Sequence, residues 1–339
     1  MKKNIVPILL LGLLGAVPGA AQNKLAINGY FSFQAIRGGG GLPSTAWSLG
    51  NVWGGLIFSG EPAKGVTFAL EPTFAPGESI DLTQAWAGLA INEGMAIKAG
   101  LFLVPFGKYN LARRPYETPW VSDPYPIGFS FPVNWREVGL AAQASISGFN
   151  VALFVGNGLA EGENPASGQQ FRDNNRNKAW GGRVGLALGS SLEVGGSYYR
   201  GKADANNSRS IKMLGADLTW LTENLKAGGE YVRAEIENPS PFGKGVSEGW
   251  FGEVQIRYGN WIPAISYQHQ RTDDPFHGPG FAGPDVPGSG LSLDGTRWAF
   301  GAAYKIGANI LLKLEYDRER ERGESAWRSA VRVQAALYF

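Results

Sequence analysis

The side chains of this sequence that could do chemistry are charged residues placed at alternate positions of apolar segments. On the polar side of such segments we predict seven basic residues: Lys98, Arg183, Lys212, Arg257, Arg297, Lys313 and Arg332. The acids predicted to face them are Glu71, Asp81, Glu193, Glu230, Glu253 and Glu315. An unpaired charge in a dry core costs several kcal/mol, so we expect this side to face water. The charges on this polar side could orient ions and dipolar solutes. The alternative is that they form cross-strand ion pairs that only stabilise the wall.

A second set of charges lies in the long segment 104–135. It contains Lys108, Arg113, Arg114, Glu117 and Asp123, and Arg136 follows directly. Prolines in the segment stiffen its backbone, and aromatic side chains could pack it against a wall. Three bases against two acids predict a modest preference for anions wherever an ion is partly desolvated. The alternative is an external loop whose charges are only solvated.

Composition excludes several kinds of site. The chain has no Cys, which excludes disulfides, thiol catalysis and Cys-ligated metals, and its two His leave little room for a His-based centre. Beyond Lys2 and Lys3 the formal charges balance, which argues against a nucleic-acid partner. We therefore expect no cofactor and no covalent chemistry.

Three weaker alternatives remain open. A lipase would need His269 paired with Ser292, and no third partner is evident. A calcium site would use Asp273, Asp274, His277, Asp285 and Asp294, but their spacing matches no known ligand pattern. The glycine run 38–41 lacks the lysine and the strand–helix context of a phosphate-binding loop, which favours a plain external loop.

The first 21 residues predict a cleaved signal peptide. Lys2 and Lys3 precede an apolar core over Ile5–Val17, and the small residues Gly19 and Ala21 stand before Gln22. The alternative is a short N-terminal membrane anchor. Residues 22–339 show no linker-like break and are predicted to form one domain. Export without Cys fits a bacterial periplasm or outer membrane.

Alternation with a period of two recurs along the rest of the chain and predicts an all-β fold of about sixteen strands. Their predicted starts are near Leu25, Ala46, Gly65, Ser79, Met95, Glu137, Asn150, Ala179, Leu192, Ser210, Asn224, Glu248, Trp261, Gly295, Asn309 and Ser329. Links after even-numbered strands are short, and those after odd-numbered strands are mostly longer. Short periplasmic turns and long extracellular loops are typical of a transmembrane antiparallel β-barrel, whereas a soluble β-sandwich has no reason to keep this rule. The alternation fails near Gln84, which indicates a bulge or a misplaced boundary.

With these features the chain resembles a Gram-negative outer-membrane porin. Three stretches resemble the phosphate-selective porin O and P family: AGLFLVPFGKYN (99–110), NWREVGLAAQAS (134–145) and LLKLEYDRER (311–320). The ending AALYF, with Phe339 last, resembles the assembly signal of outer-membrane proteins. The resemblance implies a trimeric sixteen-stranded channel in which segment 104–135 folds inward and narrows the lumen. The basic ladders of the best-known members are not obvious in this chain.

We therefore expect a channel for passive diffusion of small hydrophilic solutes and ions. Its partners would be outer-membrane lipid and two further copies of the chain. The alternative within this class is an anion- or phosphate-selective porin. Outside it, the alternatives are a non-conducting barrel that acts as a receptor or adhesin, and the lipase.

Overall fold

The computed structural model describes residues 24–38, 46–77, 80–162, 165–238, 240, 243–274 and 294–339. The predicted signal peptide, most of the glycine run, His277, Asp285 and Ser292 lie outside these residues.

In the described part of the chain, sixteen antiparallel strands follow one another in order. They are β1 (Lys24–Gly38), β2 (Trp47–Ala63), β3 (Val66–Phe74), β4 (Asp81–Asn92), β5 (Met95–Leu103), β6 (Arg136–Ile146), β7 (Phe149–Gly156), β8 (Ala179–Leu188), β9 (Leu192–Lys202), β10 (Ser210–Leu221), β11 (Leu225–Glu237), β12 (Lys244–Ile256), β13 (Trp261–Asp274), β14 (Gly295–Ile306), β15 (Ile310–Glu321) and β16 (Arg328–Tyr338). Each strand pairs with its neighbours in the chain, and β1 also pairs with β16. The sheet is therefore a closed barrel.

Strand alternation explains why the barrel has an apolar outside. In β1, Ile27 and Phe31 point outward and are 58% and 45% exposed, whereas Tyr30 and Ser32 point inward and are buried. Successive side chains of a strand lie on opposite faces, so one face is apolar and the other can be polar. The exposed apolar face matches the hydrocarbon of a membrane, and the closed sheet leaves no backbone edge unpaired in it.

The barrel closes between β1 and β16. Tyr30 lies opposite Tyr338, and Gln34 lies opposite Gln334. Beyond the end of β16, the backbone of Phe339 exchanges two hydrogen bonds with Gly29, at 2.7 and 2.9 Å. The final residue of the chain therefore takes part in the closing seam.

Aromatic side chains pair on the outer face near both rims. Toward the long-loop rim, the rings of Tyr267 and Trp298 lie 4.6 Å apart between centroids. Toward the short-turn rim, Trp261 and Tyr304 lie 4.8 Å apart. Such rings favour the interfaces between hydrocarbon and water, so the pairs mark the two edges of the apolar band.

The predicted number, pairing and connection pattern of the strands are confirmed. Links after even-numbered strands are short, such as 64–65 and 93–94, whereas 104–135 and 157–178 follow odd-numbered strands. Strand β12 begins at Lys244, earlier than the predicted Glu248. The pairing of β3 with β4 shifts register between Glu71 and Pro72, opposite the predicted irregularity.

Two short 3-10 helices interrupt the long links of the described chain, at Tyr109–Leu111 and at Pro165–Gly168. Neither these nor any other helix among the described residues has the length and apolarity to span a membrane.

Candidate functional site

Segment 104–135, between β5 and β6, lies inside the barrel. Its hydrogen-bond partners are inward-facing side chains of the wall on β3, β9, β11, β12, β13 and β15. We call this segment the inner loop. Its contacts run around much of the barrel's circumference, and four wall glutamates carry the main attachments: Glu71, Glu230, Glu253 and Glu315.

Glu71 on β3 holds the inner loop through Arg114. The Arg114 Nε and Nη2 atoms donate to the two carboxylate oxygens at 2.9 and 2.7 Å. Tyr30 and Gln84 donate to the same carboxylate at 3.0 and 2.9 Å. Glu71 is fully buried, and these four hydrogen bonds offset the cost of burying its charge.

Glu230 on β11 holds the start of the inner loop. One of its carboxylate oxygens accepts hydrogen bonds from the backbone N–H groups of Lys108 and Tyr109, both at 2.6 Å. The preceding residue, Gly107, has a φ of 61°, in the region that favours glycine. A Cβ at Gly107 would collide with the Glu230 carboxylate. Glycine therefore suits this position in two ways: it adopts the backbone angle without strain, and it leaves the Glu230 carboxylate where it binds the loop.

Glu253 and Glu315 hold the middle of the inner loop. Trp120 donates its indole N–H to Glu253 at 2.5 Å. The backbone N–H groups of Val121 and Ser122 donate to Glu315 at 2.6 and 3.2 Å, and the Ser122 hydroxyl donates to its second oxygen. The middle of the loop is thus fixed to β12 and β15 by charge-assisted bonds.

Two basic wall residues bind carbonyl groups of the same loop. The Lys313 ammonium group donates to the carbonyl oxygen of Trp120 at 2.9 Å. The Arg297 guanidinium donates to the carbonyl oxygen of Asp123 and lies 4.4 Å from the ring centroid of Tyr125. Acidic and basic wall groups together therefore match the donors and acceptors of the loop backbone.

The two ends of the inner loop rest on a buried aromatic cluster. Phe106 lies 5.5 Å from Phe131 and 5.6 Å from Trp135, and Trp135 lies 5.0 Å from Tyr199 on β9. The side chain of Asn110 joins the two ends, since it donates to the carbonyl of Trp135 and accepts from its backbone N–H. Burial of these rings stabilises the inward position of the loop.

The bases of the inner loop are paired with carboxylates. Lys108 lies 2.9 Å from Glu193, and Arg113 lies 3.0 Å from Asp123. Arg114 contacts Glu117 at 3.4 Å in addition to Glu71. The predicted anion preference counted three bases against two acids within the loop alone. It left out the wall carboxylates of Glu71 and Glu193, which pair with Arg114 and Lys108.

The Arg113–Asp123 pair also involves Tyr109, whose hydroxyl donates to Asp123 at 2.9 Å. Burial and then the Asp123 carboxylate raise the pKa of Tyr109 well above its ordinary value, so the phenol stays neutral. Burial alone would lower the pKa of Arg113. The Asp123 carboxylate and the neighbouring tyrosines together raise it by more, so the net shift of the pKa is upward. The Arg113 guanidinium therefore stays charged at neutral pH.

A cavity of about 260 Å³ separates the inner loop from the wall of β1, β2 and β16. We call it the loop–wall cavity. Residues on its wall side include Gln34, Asn51, Trp53 and Gln334. Residues on its loop side include Tyr109, Arg113, Thr118, Trp120, Ser122 and Asp123. Its charged lining residues are Arg113 and Asp123, which neutralise each other.

Five of the seven predicted wall bases point inward, and four of them are described first. Lys98 lies 5.3 Å from the ring centroids of both Trp86 and Phe102. Arg183 binds Asp217 and Glu193, at 2.6 and 2.8 Å. The structure places Arg297 and Lys313 against the inner loop, as described above.

Arg332, the remaining inward base, is an ion-pair partner of two acids on β15. It lies 3.6 Å from Glu315 and also contacts Asp317. Ion pairing within the wall thus accounts for both bases: Arg332 pairs with the neighbouring β15, and Arg183 pairs with Glu193 on the neighbouring β9 and with Asp217 on β10, one strand further. Such pairing was the alternative considered for the wall charges.

Three predicted site residues lie elsewhere. Lys212 shares the outward face of β10 with Leu214 and Leu218, so its prediction as a pore-wall residue is corrected. It lies near the extracellular end, where the outer face leaves the apolar band and a charge costs little. Arg257 follows the end of β12 in a short turn and is exposed, which corrects its placement within the wall.

Arg136 is the third of these residues. It binds the Asp81 carboxylate at 2.8 Å, and the ring of Phe171 from segment 157–178 lies 4.9 Å away. It is held at the extracellular end of β6 and does not line the loop–wall cavity. Its contribution to a constriction stays a prediction.

Sequence reasoning missed the function of the wall glutamates and of Asn110. The glutamates were recognised as polar-face residues, but their partners lie more than a hundred positions away for Glu230, Glu253 and Glu315. No local pattern reports such contacts.

The catalytic and metal alternatives gain no support. His269 lies on the outer face beside Trp250, with 6.4 Å between ring centroids, and Ser292 is outside the described residues. Within the ranges that the structure describes, no three His, Asp or Glu side chains gather closely enough to hold a metal ion.

The closed sixteen-stranded barrel, its apolar outer face and its charged interior define an outer-membrane channel protein of the β-barrel class. A sequence model described as Gram-negative porin matches residues 9–324. The chain therefore belongs to the Gram-negative porin family. This membership indicates an outer-membrane location and a channel through which solutes diffuse.

Solved porin structures share the fold. An anion-selective porin from Comamonas acidovorans is 11% identical, with a TM-score of 0.69 over 94% of this chain and 100% of that one. Salmonella typhi OmpF in complex with daunomycin is 15% identical, with a TM-score of 0.62 over 94% and 98%. The trimer form of OmpT from Vibrio cholerae is 12% identical, with a TM-score of 0.59 over 94% and 100%. No curated protein matches the chain in sequence.

Proposed function

We propose that the protein is a passive diffusion channel for small hydrophilic solutes, with its narrowest section at the inner loop. The observation that carries this proposal is the attachment of the loop to Glu71, Glu230, Glu253 and Glu315 around the wall. A barrel of sixteen strands is wide enough for an aqueous lumen, and a loop fixed across it restricts the passage. The loop–wall cavity would be part of that passage.

Weak charge selectivity follows from the pairing of charges. Each base of the inner loop has a carboxylate partner, and the cavity lining contains one base and one acid. Because opposite charges at close range cancel at the position of a passing ion, neither sign of ion is favoured strongly. An anion- or phosphate-selective channel is the alternative. The reversal potential in a salt gradient distinguishes the two.

Assembly and export are part of the proposal. We propose a homotrimer in the outer membrane, supported by the sequence resemblance, and removal of residues 1–21 on export. Chemical cross-linking of the protein in outer membranes, followed by electrophoresis without heating, tests the trimer. N-terminal sequencing of the exported protein tests the cleavage, with Gln22 expected as the first residue.

The central experiment is electrical recording from the purified protein in a planar lipid bilayer. We expect stepwise conductance increases, and a reversal potential near zero in a tenfold gradient of potassium chloride. A large reversal potential toward the chloride equilibrium value would establish the anion-selective alternative. Absence of conductance from correctly folded protein would contradict the proposal and favour a receptor or adhesin. Heat-denatured protein is the control.

A further inference from the structure

Strand β15 separates its charges between the two faces of the barrel near the long-loop rim. From Asp317 to Arg322 the sequence reads DRERER, and strand alternation directs the acids and the bases of this run to opposite faces. Asp317 is buried on the inner face, whereas Arg318 and Arg320 are exposed on the outer face. Two bases therefore stand on the surface that carries apolar side chains over most of its height.

One aromatic ring holds both of these bases. The guanidinium carbon of Arg318 lies 5.4 Å from the ring centroid of Trp327, and that of Arg320 lies 4.9 Å from it. Within the part of the chain that the structure describes, neither guanidinium has an ion pair or a side-chain hydrogen bond. The ring keeps both groups near one point and leaves their N–H donors available.

The acids around this pair of bases have other partners. Asp294 contacts Arg322 at 3.1 Å. Arg328 contacts Glu321, and it lies 3.6 Å from Glu324. The positive charge over the Trp327 ring is therefore not compensated by the protein.

The two bases lie at the depth of lipid headgroups. Arg318 is paired with Trp298 on β14, a ring of the aromatic pair that marks the edge of the apolar band toward the long loops. Arg320 is paired with Thr296 and lies about 6–7 Å closer to the rim, at the usual rise of a strand. The polar headgroup layer begins directly above the hydrocarbon, so the guanidinium groups are within it.

We propose that Arg318, Arg320 and Trp327 form a binding site for the phosphate headgroup of an anionic lipid in the outer leaflet. Each guanidinium can donate two parallel N–H bonds to phosphate oxygens. The uncompensated charge favours a headgroup without a cation of its own over a zwitterionic one. Below the site, Leu312 and Leu314 are 42% and 50% exposed on the same face of β15, where they contact the acyl chains of the bound lipid.

The probe is phosphatidylglycerol, titrated into the folded protein in neutral detergent, with phosphatidylcholine as the zwitterionic comparison. Native mass spectrometry counts the lipid molecules that the protein retains. We expect saturable retention of phosphatidylglycerol and much weaker retention of phosphatidylcholine. Equal retention of the two lipids would overturn the site.

Single substitutions locate the binding. Arg320→Gln should weaken the retention of phosphatidylglycerol about fivefold, the effect of one base at an anionic lipid surface. Arg322→Gln is the matched control, because it removes the same charge two positions away from a side chain that is paired with Asp294. It should bind like the wild type, and equal weakening in both variants would mean general charge attraction and no site. Trp327→Leu should weaken retention without any change of charge, since both guanidinium groups lose their common support.

Two further measurements distinguish the occupant. Inorganic phosphate, added to the lipid-loaded protein, should release no more lipid than chloride at the same ionic strength, because a free ion has no acyl chains. Greater release by phosphate would assign the site to a free anion. The double variant Arg318→Gln with Arg320→Gln should keep the wild-type mobility in electrophoresis without heating. An altered oligomeric state would mean that a second copy of the chain covers this face, and would overturn the lipid site.

The same double variant keeps this inference separate from the channel proposal. Both side chains face away from the lumen, so its conductance in a planar bilayer should equal that of the wild type. Loss of lipid retention with unchanged conductance is the expected result. A large change in conductance would show that the two arginines act on the lumen, and would contradict their function as a lipid site alone.

Discussion

Arg114 and Glu71 form a two-point ion pair between the inner loop and the barrel wall, with donor–acceptor distances of 2.9 and 2.7 Å. The Glu71 side chain has no exposure, so its charge depends on this partner and on Tyr30 and Gln84. We predict that Arg114→Ala releases the loop locally. The cost should be about 1.5–3 kcal/mol, typical of a hydrogen bond to a charged group, with larger and noisier channel currents.

Two measurements check this variant. The first is the temperature at which the barrel unfolds, read from its change in electrophoretic mobility. The second is the noise of the open-channel current. Arg114→Lys should be intermediate, because it keeps the charge but loses the planar two-point geometry. Arg322→Ala is the control, since Arg322 is 77% exposed and its pair with Asp294 lies at the rim. An Arg114→Ala channel with wild-type noise and stability would show that the loop does not depend on this contact.

The Arg113–Asp123 pair should set the charge balance of the narrow section. We predict that Asp123→Asn leaves Arg113 uncompensated and moves the reversal potential toward anion selectivity. The effect should be strongest at low salt, where screening is weak. Asp173→Asn removes a carboxylate that pairs with Lys178 in segment 157–178, and it should leave selectivity unchanged. A similar shift in both variants would place the selectivity outside the inner loop.

Gly107 should be intolerant of a side chain beyond the effect of its backbone angle. Gly107→Ala would push a Cβ into the Glu230 carboxylate and detach the backbone N–H groups of Lys108 and Tyr109. Gly77→Ala is a matched control, because Gly77 also has a positive φ but its Cβ would meet open space. Both variants lose stability from backbone strain, and Gly107→Ala alone should alter conductance. Equal behaviour in bilayers would contradict the anchoring function of Glu230.

The loop 203–209 should open in acid. Asp204 accepts hydrogen bonds from the Ser208 hydroxyl at 2.6 Å and from the backbone N–H groups of Ser208 and Arg209 at 3.1 and 2.7 Å. Burial acts to raise the pKa of Asp204, but these bonds outweigh it and the pKa is lowered. The stabilisation is therefore present above the unfolded value of about 3.9, and is lost as the pH falls through the lower folded value.

Hydrogen exchange of the Ser208 and Arg209 amides checks this expectation. Protection should be high at pH 5 to 7 and fall only below the ordinary aspartate range. Asp204→Asn should give weaker protection that no longer varies with acid. If the variant keeps the wild-type pH profile, another group controls the loop.

The barrel was predictable from sequence because strand alternation is a local property. Predicted strand starts such as Met95, Ala179 and Trp261 coincide with the structure, since an apolar face and a tight turn fix them within a few residues. Lys212 shows where this reasoning fails. A charge at a strand end can face outward above the apolar band, so the rule that charged residues face the lumen holds only at mid-membrane depth.

The candidate site was predictable in location but not in its bonding. Lys108, Arg113 and Arg114 were found because they lie in one long segment, whereas their partners Glu193, Asp123 and Glu71 depend on how that segment folds. Gln334 and Gln34 carry no charge and lie on opposite ends of the chain. They meet only because the first and last strands pair.

That seam also constrains biogenesis. The hydrogen bonds between Gly29 and Phe339 join the first and last strands of the described chain. The cylinder cannot close before β16 has been synthesised, because the free edge of β1 has no other strand to pair with.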